Sequence, residues 1–392
     1  MNKTLVWLKR DLRVLDQPIL KDWKLNPAQN TLVYFRFSDE EAKGSVAQNQ
    51  FRESCLSRFQ SDVYRQARGE LKQFVTTDEF FRADLEKLIK GLSPDRLLTS
   101  AEFAAPACGR NLIAREICEK LKIEFEEANA FTLFPEPDLP KLPLIFTEFR
   151  KKMEATKIDF RDSDEVPPTL EASDGMTRLN YYLFQSRRIL TYKETRNGMI
   201  DPDDSSHFSP HLALGAISVK RIWFEIDRFE AEVEANDSTA WLKFELLWRE
   251  FFIWNARKYQ TKLYEPGGIR QKPISFKTDS LLFEDWKMGR TPNAFVNANM
   301  NELRKTGWMS NRGRQNVASY LIHDLGLEWR LGARWFEEQL MDAEPCANWG
   351  NWSYLAGVGN DPRPFRKFNL EWQQSLYDPK GDYTRLWTEI RK

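Results

Sequence analysis

The chain has 392 residues, with 58 Lys+Arg against 58 Asp+Glu and a formal net charge of zero; that length accommodates two domains, each with its own core. A balanced charge excludes a protein that is basic overall, so any nucleic-acid affinity must come from a focused cleft. Four cysteines without a CxxC pair, only three histidines, no secretory h-region in MNKTLVWLKRDLR and no long apolar run argue against a disulfide framework, a structural metal or iron–sulfur centre, and a membrane protein.

A cytoplasmic protein is therefore expected. The first 130 residues alternate two rhythms. TLVWL (4–8), TLVYF (31–35) and RLLTS (96–100) are short apolar runs of the kind that form strands buried on both faces. Helical patterns lie between them at 51–73 and 107–122, the second placing Leu112, Ile113, Ile117 and Leu121 on one face. This alternation predicts a parallel α/β sheet. Its only glycines are Gly44, Gly69, Gly91 and Gly109, so neither a GxGxxG fingerprint nor a P-loop is present.

Residues 131–175 change character. FTLFPEPDLPKLPL and DSDEVPPTLEASDG are rich in proline and acidic residues and read as a connector, part of which packs. From Arg178 onward the strand signal disappears. WLKFELLWREFFIWNARKY (241–259) repeats Leu242, Glu245, Trp248, Arg249 and Phe252 at intervals of three and four; SNRGRQNVASYLIHDLG (310–326) and WRLGARWFEEQLMD (329–342) are helical as well. The predicted fold class is α/β plus all-α, with a Rossmann-like sheet domain at 1–130, a connector at 131–175 and a helical domain at 176–392.

Three clusters could carry chemistry. In the first, Ser205 and Ser206 precede HFSPHLALGAIS (207–218). Hydroxyls and free amides at a helix start suit a phosphate, though the same residues also describe a serine-capped helix with Pro210 in its first turn. His207 and His211, four apart, have no carboxylate at metal-binding spacing, so no metal is expected. In the second, Glu245, Trp248 and Arg249 could bond a base edge, stack on a base and reach a phosphate, or could belong to an ordinary amphipathic helix. In the third, GWMSNRGRQN (307–316) supplies Asn311, Arg312 and Arg314, and WFEEQLMDAEPCANWGNW (335–352) supplies Asp342, Glu344, Asn348 and Trp352. A buried Arg–Asp couple with amides beside it could polarise a planar heterocycle, or could be a structural ion pair.

Read together, these blocks resemble a family. WLKRDLRVLDQPIL, LPLIFTEFRKKME, TYKETRNG, FSPHLALGAIS, FELLWREFF, GWMSNRGRQNVASYL and NWGNWSYLAGVGNDP are similar, in order, to blocks of the cryptochrome/photolyase flavoproteins, and within them of the DASH-type cryptochromes. The likeness runs from residue 4 to LYDPKGDYTRLW at 376–387. It implies an N-terminal antenna domain and a helical domain holding FAD. The flavin contacts would fall on Tyr192, Ser205, Ser206, Ser209, Glu245, Arg249, Asn311, Arg314, Asp342, Glu344 and Asn348, the last beside N5. Arg196, Glu245, Trp248, Asn311, Arg312 and Tyr354 would meet a flipped-out cyclobutane pyrimidine dimer. Glu245, Asn311 and Asn348 would act in catalysis, with Trp352 and Trp329 relaying electrons.

The implied activity is blue-light-driven dimer repair by a monomer, preferentially in UV-damaged single-stranded DNA or in loops of a duplex. The alternative is a blue-light photoreceptor with little repair activity. The resemblance also implies a folate antenna (methenyltetrahydrofolate), with Glu102 at a contact position. It implies no six-four photolyase, because Ser310, Asn311 and Gln315 stand where that group has histidines. An iron–sulfur relative is disfavoured too, since only Cys346 lies in the helical half. Three departures stand out: Phe276 replaces the usual distal tryptophan of the photoreduction chain, Trp286 is the expected substitute, and Glu344 replaces an aspartate.

Overall fold

The structure is a computed structural model that describes residues 3–21, 29–67, 69–158, 174–363 and 366–388. Its N-terminal part is built on a five-stranded parallel sheet, β1 Thr4–Leu8, β2 Thr31–Phe37, β3 Leu71–Thr76, β4 Arg96–Ser100 and β5 Glu124–Ala128, in the order β3-β2-β1-β4-β5. β1 is central and all five of its residues are buried, which is why its sequence is continuously apolar. Helices α1 (Val46–Ala67), α2 (Phe81–Leu92) and α3 (Ala105–Leu121) connect the strands. The first helix starts five residues before the predicted 51–73 and stops before β3, which takes up the last part of that range. In α3, Ala114, Ile117 and Cys118 face the core while Leu112 is 55% exposed, so the expected apolar face is rotated away from Leu112.

The β1/β4 border is the switch point of the strand order, where open α/β sheets ordinarily bind ligands. Here it is filled from within the chain. Lys9, just beyond β1, donates to Ser100 O and Asn111 Oδ1, both at 2.6 Å, and Arg10 and Lys9 pair with Glu102 at 2.8 and 3.6 Å.

The rest of the molecule is helical. The elements that matter for the site are α4 (Phe146–Glu154), α5 (Ser209–Ala213), α6 (Val219–Glu232), α7 (Asp237–Tyr259), α8 (Ser280–Lys287), α9 (Ala294–Thr306), α10 (Asn311–Ser319), α11 (Trp329–Gln339), α12 (Pro345–Leu355) and α13 (Leu370–Tyr377). Among the described residues the only β pairing here is an isolated bridge between Lys277 and Leu327. The first part of the expected connector packs through its apolar side chains: Phe131, Leu133, Phe134, Phe146, Phe149 and Met153 lie in the helical core. Most of its acidic part, 159–173, lies outside the described residues.

The two parts lock together through the RDLR segment. Gly215 has φ +61° and a Cβ there would sit 2.2 Å from Arg10 O, so only glycine admits this approach. Leu12 N–H then donates to Leu214 O at 3.0 Å, and the Arg13 guanidinium reaches Asp16, Gly215 O and Ala130 O.

Candidate active site

Helix α7 is the spine of the site. A reciprocal capping box starts it: Asn236 Oδ1 accepts from the N–H groups of Ser238 and Thr239, and Thr239 Oγ1 accepts from Asn236 N–H. From that fixed start, Glu245, Trp248, Arg249 and Phe252 all reach one cavity, as the three-and-four spacing predicts. Helix α9 ends at Gly307, φ +68°, and Ser310 restarts the chain by accepting from Gly313 N–H at 3.1 Å. This stop and restart presents Asn311, Arg312 and Arg314 to the same cavity. Pro345 opens α12, Glu344 caps it by accepting from Ala347 N–H at 2.7 Å, and Asn348, Trp352 and Tyr354 follow. A Cβ at Gly350 would meet the Phe252 ring at 2.3 Å, so this glycine lets α12 lie against α7.

The cavity measures about 420 Å³, within the range of cofactor sites. Its floor is an ion pair: Arg314 Nη2 donates to Asp342 Oδ2 at 2.9 Å, and Ser209 Oγ donates to the same oxygen at 2.6 Å. Asp342 Oδ1 is buried with no hydrogen-bond partner, a cost the fold carries unless a ligand donor meets it. Asn348 Nδ2 donates to Ala333 O at 2.8 Å, which leaves the amide oxygen for the cavity. Arg249 donates to Phe131 O at 2.8 Å.

The mouth is aromatic and cationic. Glu245 pairs with Arg196 at 2.8 Å and accepts from Trp241 Nε1 at 3.0 Å; burial raises its carboxyl above the ordinary value, against the opposing pull of Arg196. Trp248 stacks on Phe146 with centroids 3.7 Å apart and meets the Tyr354 ring edge-on at 6.0 Å. Arg366 covers the Tyr354 ring at 4.9 Å and donates to its hydroxyl at 3.2 Å. Arg312 lies over Tyr377 at 4.8 Å and binds Gln315 at 2.8 Å.

Of the residues expected from sequence, Ser209, Glu245, Arg249, Asn311, Arg314, Asp342, Glu344, Asn348, Arg196, Trp248, Arg312, Tyr354 and Trp352 all line this cavity. Four do not. Tyr192 and Trp329 are buried. Ser205 and Ser206 are held through their carbonyls by Arg178, at 3.0 and 2.9 Å. The serine-cap reading fails for α5: Phe208 occupies its N-cap and gives no side-chain cap, while Ser209 turns to Asp342. His207 stacks on Trp308 and His211 packs on Phe51, so they do not form a pair. Glu102 is 2% exposed and its carboxylate is taken by Arg10 and Lys9. Sequence reasoning assigned no site role to Phe244, to Phe252 (placed there only by its helical spacing), to Phe336 or to Arg366, all of which line the cavity. The FELLWREFF block gave a signal for the first two; Arg366 follows the NDP block without a distinguishing pattern.

Residues 4–170 match the family described as DNA photolyase, and residues 241–391 the FAD binding domain of DNA photolyase. Cryptochrome DASH of Danio rerio is 38% identical, covering 98% of this chain and 82% of its own. This chain belongs to the cryptochrome DASH family. The cryptochrome DASH of Synechocystis is 36% identical over 98% of this chain and 86% of its own. The solved Synechocystis sp. PCC6803 cryptochrome superposes with a TM-score of 0.90 at 35% identity, covering 99% of this chain and 88% of that one. A class III photolyase from Agrobacterium tumefaciens, 23% identical with a TM-score of 0.83 over 99% of this chain and 86% of its own, shares the fold. This chain is thus a photolyase-like flavoprotein with FAD as its cofactor. The cavity fits that group: an unpartnered buried carboxylate oxygen, an arginine and two side-chain amides suit a planar heterocycle with several donors and acceptors. Among the described residues no helix is long and apolar enough to cross a membrane.

Proposed function

We propose that the protein repairs cyclobutane pyrimidine dimers under blue light, preferentially in single-stranded DNA, with FAD seated on the cavity floor and the dimer at its mouth. Reduced FAD, when bound and excited, supplies the electron that opens the cyclobutane ring. The observation that carries this reading is that one cavity joins a polar floor of Arg314, Asp342 and Ser209 to a mouth of Glu245, Trp248, Tyr354 and three arginines.

Asp342 would accept a ring N–H of the bound flavin, with Arg314 holding its carboxylate in place. Asn348 would offer its amide oxygen to the flavin ring, and Arg249 would face the cofactor's negative groups. Glu344 fixes the start of α12 and thereby the height of Asn348. At the mouth, Glu245 and Asn311 bond the base edges of an extruded dimer, while Trp248 and Tyr354 exclude water and supply aromatic surface. Arg196, Arg312 and Arg366 attract the flanking phosphates. Extrusion costs least where pairing is already absent, which favours single strands and loops. The sheet part, residues 1–130, then acts as the antenna domain, joined by 131–175 to the catalytic helices at 176–392.

The test uses chemically reduced, flavin-loaded protein and a thymine-dimer oligonucleotide presented as single strand, loop or duplex, with recovered thymine measured in light and dark. Light-dependent recovery fastest on the single strand supports the proposal. Equal recovery on duplex removes the strand preference. No recovery on any form overturns repair and leaves the photoreceptor reading.

A further inference from the structure

Trp352 and three tryptophans linked to it by ring contact or helix spacing differ in where the indole N–H points. Trp352 lines the cavity. Trp286 meets its ring at 6.3 Å, but is fully buried and donates to Val317 O at 3.1 Å. Trp329 is also fully buried and donates to Pro266 O at 3.0 Å. Trp349 precedes Trp352 by three residues on α12, a spacing that puts the two Cβ atoms roughly 5–6 Å apart. Its Nε1 donates to the Glu337 carboxylate at 3.1 Å. Trp349 also contacts Trp329 at 5.7 Å and Tyr264 at 4.8 Å.

The acceptor decides the fate of an oxidised indole. Losing an electron turns the N–H into a far stronger acid. A peptide carbonyl is too weak a base to take that proton, so the positive charge stays and the electron returns. A carboxylate takes the proton and traps the hole. Burial raises the Glu337 carboxyl above its ordinary value, and Glu40, Glu344 and Glu338 add to the rise against the bond from Trp349; the carboxylate is a stronger base for it.

We infer that Trp349 and Glu337 form the proton-coupled electron donor to the cavity. Trp352 gives one electron to light-excited oxidised flavin, Trp349 refills Trp352, and the Trp349 proton passes from Nε1 to Glu337 Oε2. The flavin gains one electron, Trp349 ends as a neutral radical, and Glu337 ends protonated. This assignment rests on FAD occupying the cavity, and it places the donor that Phe276 cannot supply on Trp349 rather than on Trp286.

Flash photolysis of oxidised, flavin-loaded protein tests it, read by the absorption that separates a neutral indole radical from its protonated cation. Flavin occupancy and melting temperature are recorded first. Wild type should give a long-lived neutral radical and Trp286→Phe should retain it. Trp349→Phe should lose it. Glu337→Gln, which leaves every tryptophan in place, should leave only a short-lived cation. An unchanged neutral radical in both Trp349→Phe and Glu337→Gln, or its loss in Trp286→Phe, overturns the assignment. Wild type without bound flavin would instead contradict the reading of the cavity itself.

Discussion

Asp342 places its Oδ2 under both Ser209 and Arg314 and leaves Oδ1 buried without a partner. A hydrogen bond to a charged group contributes about 1.5–3 kcal/mol, so Asp342→Asn should weaken FAD binding roughly 10- to 100-fold. Titration of apoprotein with FAD, followed by fluorescence, reads this directly. At the mouth, Glu245→Gln removes the charge that Arg196 faces at 2.8 Å. Repair per bound flavin should fall by a similar roughly 10- to 100-fold, since a charge-assisted bond to the base edge is lost; recovered thymine at limiting substrate measures it. Both residues were legible in the sequence because each sits in a long block. The stacking of Phe146 on Trp248 was not, since α4 meets α7 only through tertiary packing. Nor was the burial of Glu102, which depends on two cations from another segment.

At the scale of elements, β1, β2 and β4 were readable because burial on both faces gives each a short apolar run. β3 and β5 were not. They are the edges of the sheet, and their sequences LKQFVT and EFEEA carry the polar residues that keep an edge from pairing further. The helix α7 was predicted nearly end to end, yet its anchor to the connector was missed. Glu250 accepts from Leu133 N–H, Phe134 N–H and Trp254 Nε1 at 3.0, 3.2 and 2.9 Å. Burial outweighs those donors and pushes its carboxyl from 4.5 to about 7. The folded state therefore holds a proton that the unfolded chain releases earlier. The stability this contributes is present below about pH 4.5 and lost as pH rises through about 7. That rise corresponds to something on the order of 3 kcal/mol. Glu250→Gln should flatten the dependence of unfolding free energy on pH across this window, as measured by urea titration at stepped pH; an unchanged slope would assign the proton elsewhere.

Across the whole molecule, the sheet and the helices share the site through Arg10. Its guanidinium binds Glu102 at 2.8 Å and Glu344 at 3.4 Å, and Glu344 caps the helix that carries Asn348. The extra methylene of Glu344 relative to aspartate gives the side chain reach toward this partner while it still caps α12. Arg10→Met would strand Glu344 and leave Glu102 to Lys9 alone, at a cost of about 3 kcal/mol by the usual penalty for half a buried ion pair. Urea unfolding reads the loss, and the same variant should bind FAD more weakly although Arg10 does not line the cavity. In the proposed reaction one cavity brings flavin and dimer within electron-transfer contact. The measurement that tests it most directly is the fluorescence lifetime of the reduced, bound flavin with saturating single strands. A dimer-containing strand should shorten the lifetime and an undamaged strand of the same sequence should not. Identical lifetimes with both strands, at proven saturation, would contradict the account.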